Sequence, residues 1–126
     1  MKAVLDTSVV LAPTVPILER NLAISAATLA ELHYGVLVAA DPDTRAERLR
    51  RLTLLEHMFH PLPVDASVAR SYGQLAAAVV AAGRQPRARV MDLLIAATAR
   101  AHGARLYTAN PGDLRGLDDL LELVPV

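Results

Sequence analysis

Cysteine and tryptophan are absent from this chain of 126 residues, and its aromatics amount to three tyrosines and one phenylalanine. Without cysteine there is no disulfide framework, no thiolate metal site of the zinc-finger kind and no cysteine nucleophile, a usage that fits a reducing compartment. With only Tyr34, Tyr72, Tyr107 and Phe59 to offer, recognition of nucleic-acid bases by stacking is limited. Charge of one sign is also missing. Thirteen basic side chains balance thirteen acidic ones, which argues against the broad cationic field of a non-specific nucleic-acid binder and means that any polyanion must be met locally. No apolar run reaches about 18 residues without a charge, and Met1 to Asp6 meets an acid too early for the core of a signal peptide. The expectation is a soluble cytoplasmic protein with no membrane segment.

What remains is an aliphatic chain near the commonest domain size, long enough to bury roughly two-thirds of the surface its unfolded form exposes. It reads as one domain over 1–126, with no repeat or linker. Ala3-Val4-Leu5 is a short apolar strand closed by Asp6-Thr7-Ser8, residues that favour caps and turns, after which Val9, Val10 and Leu11 begin a helix. Pro13 and Pro16 keep that helix short, and Ile17 to Leu22 holds at most one or two further turns. Leu22-Ala23-Ile24 resembles a second strand. Ser25 caps a helix over about Ala26 to Val38, Asp41-Pro42-Asp43 is a turn or cap before a helix from Thr44 to about Phe59, and Asp65 caps an alanine-rich helix over 66–82.

Between them, His60 to Val64 is extended because of its two prolines and reads as a connector or edge strand. Gly83 and Gly103 close the helices they follow. Gly83 to Arg89 is a basic loop, Val90 to His102 a helix, Ala104 to Thr108 a strand, Leu114 to Leu121 a last helix and Leu123 to Val126 a terminal strand. Strands alternating with helices indicate βαβ units: an α/β fold with a central, mostly parallel sheet covered by helices on both faces. Ligands of such sheets bind at the carboxyl ends of the strands, where Asp6 and Asn110 to Asp113 fall.

Four acids stand out. Asp92 is enclosed by Val90, Met91, Leu93, Leu94, Ile95, Ala96 and Ala97, and shares a helix face with Ile95, Ala96 and Ala99. A buried carboxylate needs a cation, a metal or a proton, so Asp92 either pairs with Arg89 or Arg100, lies on an exposed seam, or binds an ion. Glu31 sits among Leu29, Ala30 and Leu32, where an ordinary exposed glutamate near a helix start is the plain alternative. Asp6 and Asp113 are each explained equally well as helix caps.

Together they are more informative, because the topology can bring all four to one sheet edge. Two carboxylates about 4 Å apart repel by roughly 4 kcal/mol at an effective dielectric near 20, so such a cluster demands a counter-charge. Oxygen donors without cysteine or a paired-histidine motif select Mg²⁺ or Mn²⁺. That chemistry suits phosphodiester hydrolysis.

In these residues the chain resembles the PIN-domain ribonucleases, and among them the VapC-like toxins of bacterial toxin–antitoxin pairs. The resemblance spans nearly the whole chain. It is carried by Leu5-Asp6-Thr7-Ser8, by Ser25 to Leu32 with Tyr34-Gly35, by Asp92 to Ala99, and by Thr108-Ala109-Asn110-Pro111-Gly112-Asp113-Leu114. It implies a three-layer α/β/α domain with four or five strands. It implies Asp6, Glu31, Asp92 and Asp113 as catalytic and metal-binding residues for Mg²⁺ or Mn²⁺, with Thr7, Ser8 and Asn110 as polar support. It also implies an RNA substrate cut to a 5′-phosphate and a 3′-hydroxyl, homodimerisation, and a cognate antitoxin, with a toxin–antitoxin hetero-oligomer as a further assembly. Two departures stand out: only 24 residues separate Asp6 from Glu31, fewer than is usual, and Leu114 follows Asp113 where an aromatic is frequent.

Arg84, Arg87 and Arg89 precede the helix of Asp92 and are candidate RNA-phosphate ligands, against the alternative of a solvated loop. Arg45, Arg48, Arg50 and Arg51 read as a solvated helix face or partner surface, and the four histidines fall in no catalytic pattern. A binding-only PIN module is the alternative to the enzyme. A phosphoacceptor receiver module is more remote, because it needs a lysine near the acceptor and Lys2 is the only one. No phosphate-cradling glycine loop, serine elbow or dinucleotide fingerprint is present.

Overall fold

The computed structural model describes residues 3–12 and 21–126. The segment holding Pro13 and Pro16, and most of the expected turns at Ile17 to Leu22, lie outside them. Four short strands, β1 (Ala3–Leu5), β2 (Leu22–Ala23), β3 (Arg105–Thr108) and β4 (Leu123–Pro125), form an all-parallel sheet in the order β2-β1-β3-β4. The helices are α1 (Thr7–Val10), α2 (Ala26–Leu37), α3 (Pro42–Met58), α4 (Ala66–Ala81) and α5 (Val90–Ala101). The α/β reading holds, with four strands. The extended stretch after α3 contributes a single bridge, in which Leu62 N–H donates to Ile24 O at 2.9 Å and Ala26 N–H to Leu62 O at 2.8 Å.

Alternation along β1 and β3 sends side chains to both faces. Val4 and Leu106 pack with Val68, Leu75, Val79, Leu93, Ile95 and Ala99 of α4 and α5, whereas Ala3, Leu5 and Tyr107 pack with Val9 and Ile24, with Phe59 against them. The cap residues act as their types dictate: Ser25, Asp41 and Asp65 accept the N–H groups of Ala27, Thr44 and Val68. Gly83 and Gly103 have φ of 78° and 62°. After each, the next N–H reaches back to the helix, Arg84 to Val79 O at 3.0 Å and Ala104 to Ala99 O at 2.9 Å. This is the left-handed closure that glycine permits without cost.

Two segments differ from expectation. Leu114 to Leu121 is not a helix: a 3₁₀ turn over Pro111–Leu114 is followed by irregular turns. Leu114, Leu117 and Leu121 are all buried, so the helix-like spacing serves core contacts. Gly116 at φ 91° breaks any continuous helical path between them. The basic segment is not an open loop either, because Pro86–Arg89 forms a 3₁₀ turn that runs directly into α5.

Candidate active site

Each acid is delivered by a different element. Asp6 follows β1 and caps α1, with Val9 N–H donating to its Oδ1 at 3.2 Å, so the plain cap reading is correct without exhausting the residue. Ser8 donates to the same oxygen and accepts Ala109 N–H at 3.1 Å, which ties the ends of β1 and β3 together. Glu31 projects from α2, and its Oε1 accepts the Thr7 hydroxyl at 2.7 Å. Behind that bond lies Thr28, fully buried, with its hydroxyl 3.2 Å from that of Thr7.

Asp92 occupies the first turn of α5, above the fully buried Ile95, Ala96 and Ala99. Asp113 sits in the 3₁₀ turn after β3, where its carboxylate meets Arg89 at 3.3 Å. It does not cap a helix, since none follows.

The other three acids all act on Asp92. Burial pushes its carboxyl above the ordinary carboxylate range, the negative charges of Glu31, Asp113 and Asp6 push it further, and Arg89 opposes them. Arg100, the other partner considered for Asp92, instead donates to Gln74 Oε1 and to Leu120 O. A cavity of about 40 Å³ is lined by Asp6, Ser8, Asp92, Asn110, Asp113 and Leu114. At about 30 Å³ of liquid volume per water it has room for one or two water-sized groups. Among the described residues no three acids are drawn close enough to form a coordination shell.

Two larger cavities flank this pocket. On the Glu31 side, one of about 780 Å³ is lined by Thr7, Leu11, Glu31, Gly35, Arg48 and Arg51 among others. Arg48 donates to Gly35 O at 2.6 Å and Arg51 to Leu11 O at 3.1 Å. These two arginines line that cavity while staying exposed, in keeping with a solvated helix face. Arg48, Arg51 and Leu52 share one side of α3, facing Gly35 one turn beyond Glu31. On the Asp113 side, a cavity of about 270 Å³ is lined by Arg84, Arg89, Leu93 and Asp113 with Val79, Gln85 and Ala88. Arg84 donates to Gly112 O at 3.4 Å, and Arg87 is exposed and outside the lining.

Parallel strands whose carboxyl ends open on an all-oxygen acidic pocket define the class of α/β protein to which this chain belongs. The model of the PIN domain matches residues 3–119, and the chain belongs to the PIN-domain family. It is 38% identical over 121 residues to Ribonuclease VapC5 of Mycobacterium tuberculosis, covering 91% of this chain and 87% of that protein. The structure of a VapBC-family toxin–antitoxin system, VapBC-5 of M. tuberculosis, superposes over 100% of both chains with a TM-score of 0.82 at 34% identity. FitAcB of Neisseria gonorrhoeae matches at a TM-score of 0.78 and 26% identity, over 96% of this chain and 95% of that one.

Proposed function

We propose that this protein is a divalent-metal-dependent endoribonuclease of the cytoplasm and the toxin of a toxin–antitoxin pair. The observation that carries the reading is the pocket that Asp6, Asp92 and Asp113 line together, each from its own element, with Glu31 near enough for its charge to act on Asp92. Kinship with ribonucleases and with toxin–antitoxin structures supports it.

The donor set fits Mg²⁺ or Mn²⁺, because it offers carboxylate and amide oxygens with no sulfur or imidazole in the small cavity. Asp6, Asp92, Glu31 and Asp113 would hold the cation. When bound, such an ion supplies a nucleophilic water at neutral pH and charge stabilisation at the phosphoryl oxygens. Asp6 keeps Oδ2 clear of the cap by committing Oδ1 to Ser8 and Val9, and Thr7 fixes one oxygen of Glu31. Asn110 lines the pocket beside Asp6 and Asp113 and offers it an amide.

Arg84 and Arg89 outnumber Asp113 around the cavity on its side and give a neutral protein local positive charge for an RNA backbone, whereas on the Glu31 side Arg48 and Arg51 stand beside Asp43 and Glu47. The α2–α3 hairpin leaves Tyr34, Leu37, Leu54 and Met58 more than half exposed, an apolar surface for an antitoxin or a second copy of the chain.

The test is cleavage of single-stranded RNA with Mg²⁺ or Mn²⁺, followed by sequencing of the new ends. The wild type is expected to leave 5′-phosphates and Asp92→Asn to leave the RNA intact while folding normally. Metal-dependent cutting undiminished in Asp92→Asn overturns the assignment, and RNA bound but uncut under every divalent ion makes the protein a binding module.

A further inference from the structure

Asp113 is the common wall of two cavities, the acidic pocket it shares with Asp6 and Asp92 and the arginine-lined one it shares with Arg84 and Arg89. Its carboxylate is held by Arg89 across that wall through a single contact of 3.3 Å, with the two side chains 35% and 42% exposed. An ion pair so open to water is weak and readily exchanged, and a divalent cation is the stronger competitor for a carboxylate. Arg89 has its backbone fixed where the 3₁₀ turn meets α5, so its side chain alone changes partner. Arg84, in the same cavity, makes a long hydrogen bond to Gly112 O at 3.4 Å and, among the described residues, has donors left over.

We propose that Arg89 is a phosphate ligand held in reserve on Asp113: it neutralises that carboxylate while no cation is bound, and turns with Arg84 to a phosphate of a single-stranded nucleic acid once a cation takes Asp113. The proposal rests on the reading of the acidic pocket as a cation site. Its consequence is reciprocal coupling, in which cation and nucleic acid each strengthen the binding of the other. Arginine suits the role because its planar fork matches carboxylate and phosphate alike.

The experiment uses the full chain and two probes, Mn²⁺ by calorimetry and a fluorescent single-stranded 2′-O-methyl RNA decamer by anisotropy, each alone and with the other. The wild type is expected to bind the decamer at least about fivefold tighter with Mn²⁺, with a salt dependence steeper by about 0.7 because Arg89 then neutralises one more phosphate. Arg89→Gln is expected to move the two ligands in opposite directions. Mn²⁺ binds roughly two- to fivefold tighter, its competitor being gone, and the decamer in Mn²⁺ binds roughly tenfold more weakly.

Asp113→Asn frees Arg89, so decamer binding without Mn²⁺ rises toward the metal-bound level, which Asp118→Asn, an equal change of charge on an exposed turn, does not reproduce. Decamer binding unchanged in Arg89→Gln, or Mn²⁺ binding weakened there, makes Arg89 a structural brace and overturns the proposal while leaving the ribonuclease reading standing. A wild type that binds neither probe defeats both.

Discussion

Ser25 and Thr98 share a hydrogen bond of 2.9 Å between two fully buried hydroxyls, 73 residues apart in the chain. The Ser25 hydroxyl accepts Ala27 N–H at 3.1 Å and that of Thr98 donates to Leu94 O at 2.8 Å. Each hydroxyl has one proton, so the direction is set: Ala27 N–H to Ser25, Ser25 to Thr98, Thr98 to Leu94 O. This relay joins the first turn of α2, which carries Glu31, to the middle of α5, which carries Asp92.

Cutting the relay is expected to destabilise the fold. Thr98→Val leaves Ser25 without an acceptor in a dry site and is expected to cost about 1–3 kcal/mol. Ser25→Ala also removes the cap of α2, worth a further ~1 kcal/mol. Urea denaturation of both variants checks the order; equal stability for Ser25→Ala and wild type contradicts it.

Ser8→Ala tests the tie between strand ends. Its hydroxyl bridges Asp6 and the backbone of Ala109, so its loss lets the Asp6 carboxylate turn. Support of this kind around a metal site is typically worth 10- to 100-fold in affinity or activity, taken here as about tenfold in RNA cleavage. The melting temperature is expected to stay within a few degrees. A Mn²⁺ titration and a cleavage assay on one preparation decide it, and an unaltered rate removes Ser8 from the site.

The pH dependence of stability follows from Asp92. Its folded carboxyl lies above the ordinary value of 3.8, through burial first and the neighbouring acids second. The folded protein therefore holds that proton more tightly than the unfolded chain. Stability of the metal-free protein falls as pH rises from the unfolded value through the raised folded one, and stays lowered above it. Asp92→Asn abolishes the fall, so at neutral pH the metal-free variant is expected to melt a few degrees higher than wild type, and Mn²⁺ to raise the wild type more than the variant. Calorimetric melts from pH 4 to 8 measure it; parallel curves for the two proteins exclude the effect.

Gly116→Ala is expected to destabilise by about 1–2 kcal/mol. The residue sits at φ 91°, and an added Cβ comes to 3.2 Å from that of Ala82 at the end of α4. Chemical denaturation reports the loss, and a neutral effect means that the turn after Asp113 shifts freely.

Several features were legible because they depend on neighbours in the chain. The caps at Ser25, Asp41 and Asp65 and the glycine closures at Gly83 and Gly103 require only a few adjacent groups, and all stand where their residue types indicate. The apolar surroundings of Asp92 announced its burial for the same reason, since a helix shares its faces within two turns. Leu114 to Leu121 misled because a spacing of three and four serves a helix and equally a chain of turns pressed on a core, and only the positive φ of Gly116 separates the two.

The order of strands and helices, the capping points and the four unusual acids are properties of local sequence and stand in the chain as written. Which groups meet across it was decided by the tertiary structure alone. Arg89 was a candidate partner for Asp92 and forms its ion pair with Asp113, Arg100 turns to Gln74 and Leu120, and the exposed Arg48 and Arg51 share a cavity with Glu31. Long side chains choose partners by distance after packing, and packing depends on the summed burial of residues far apart in sequence, which no local pattern encodes.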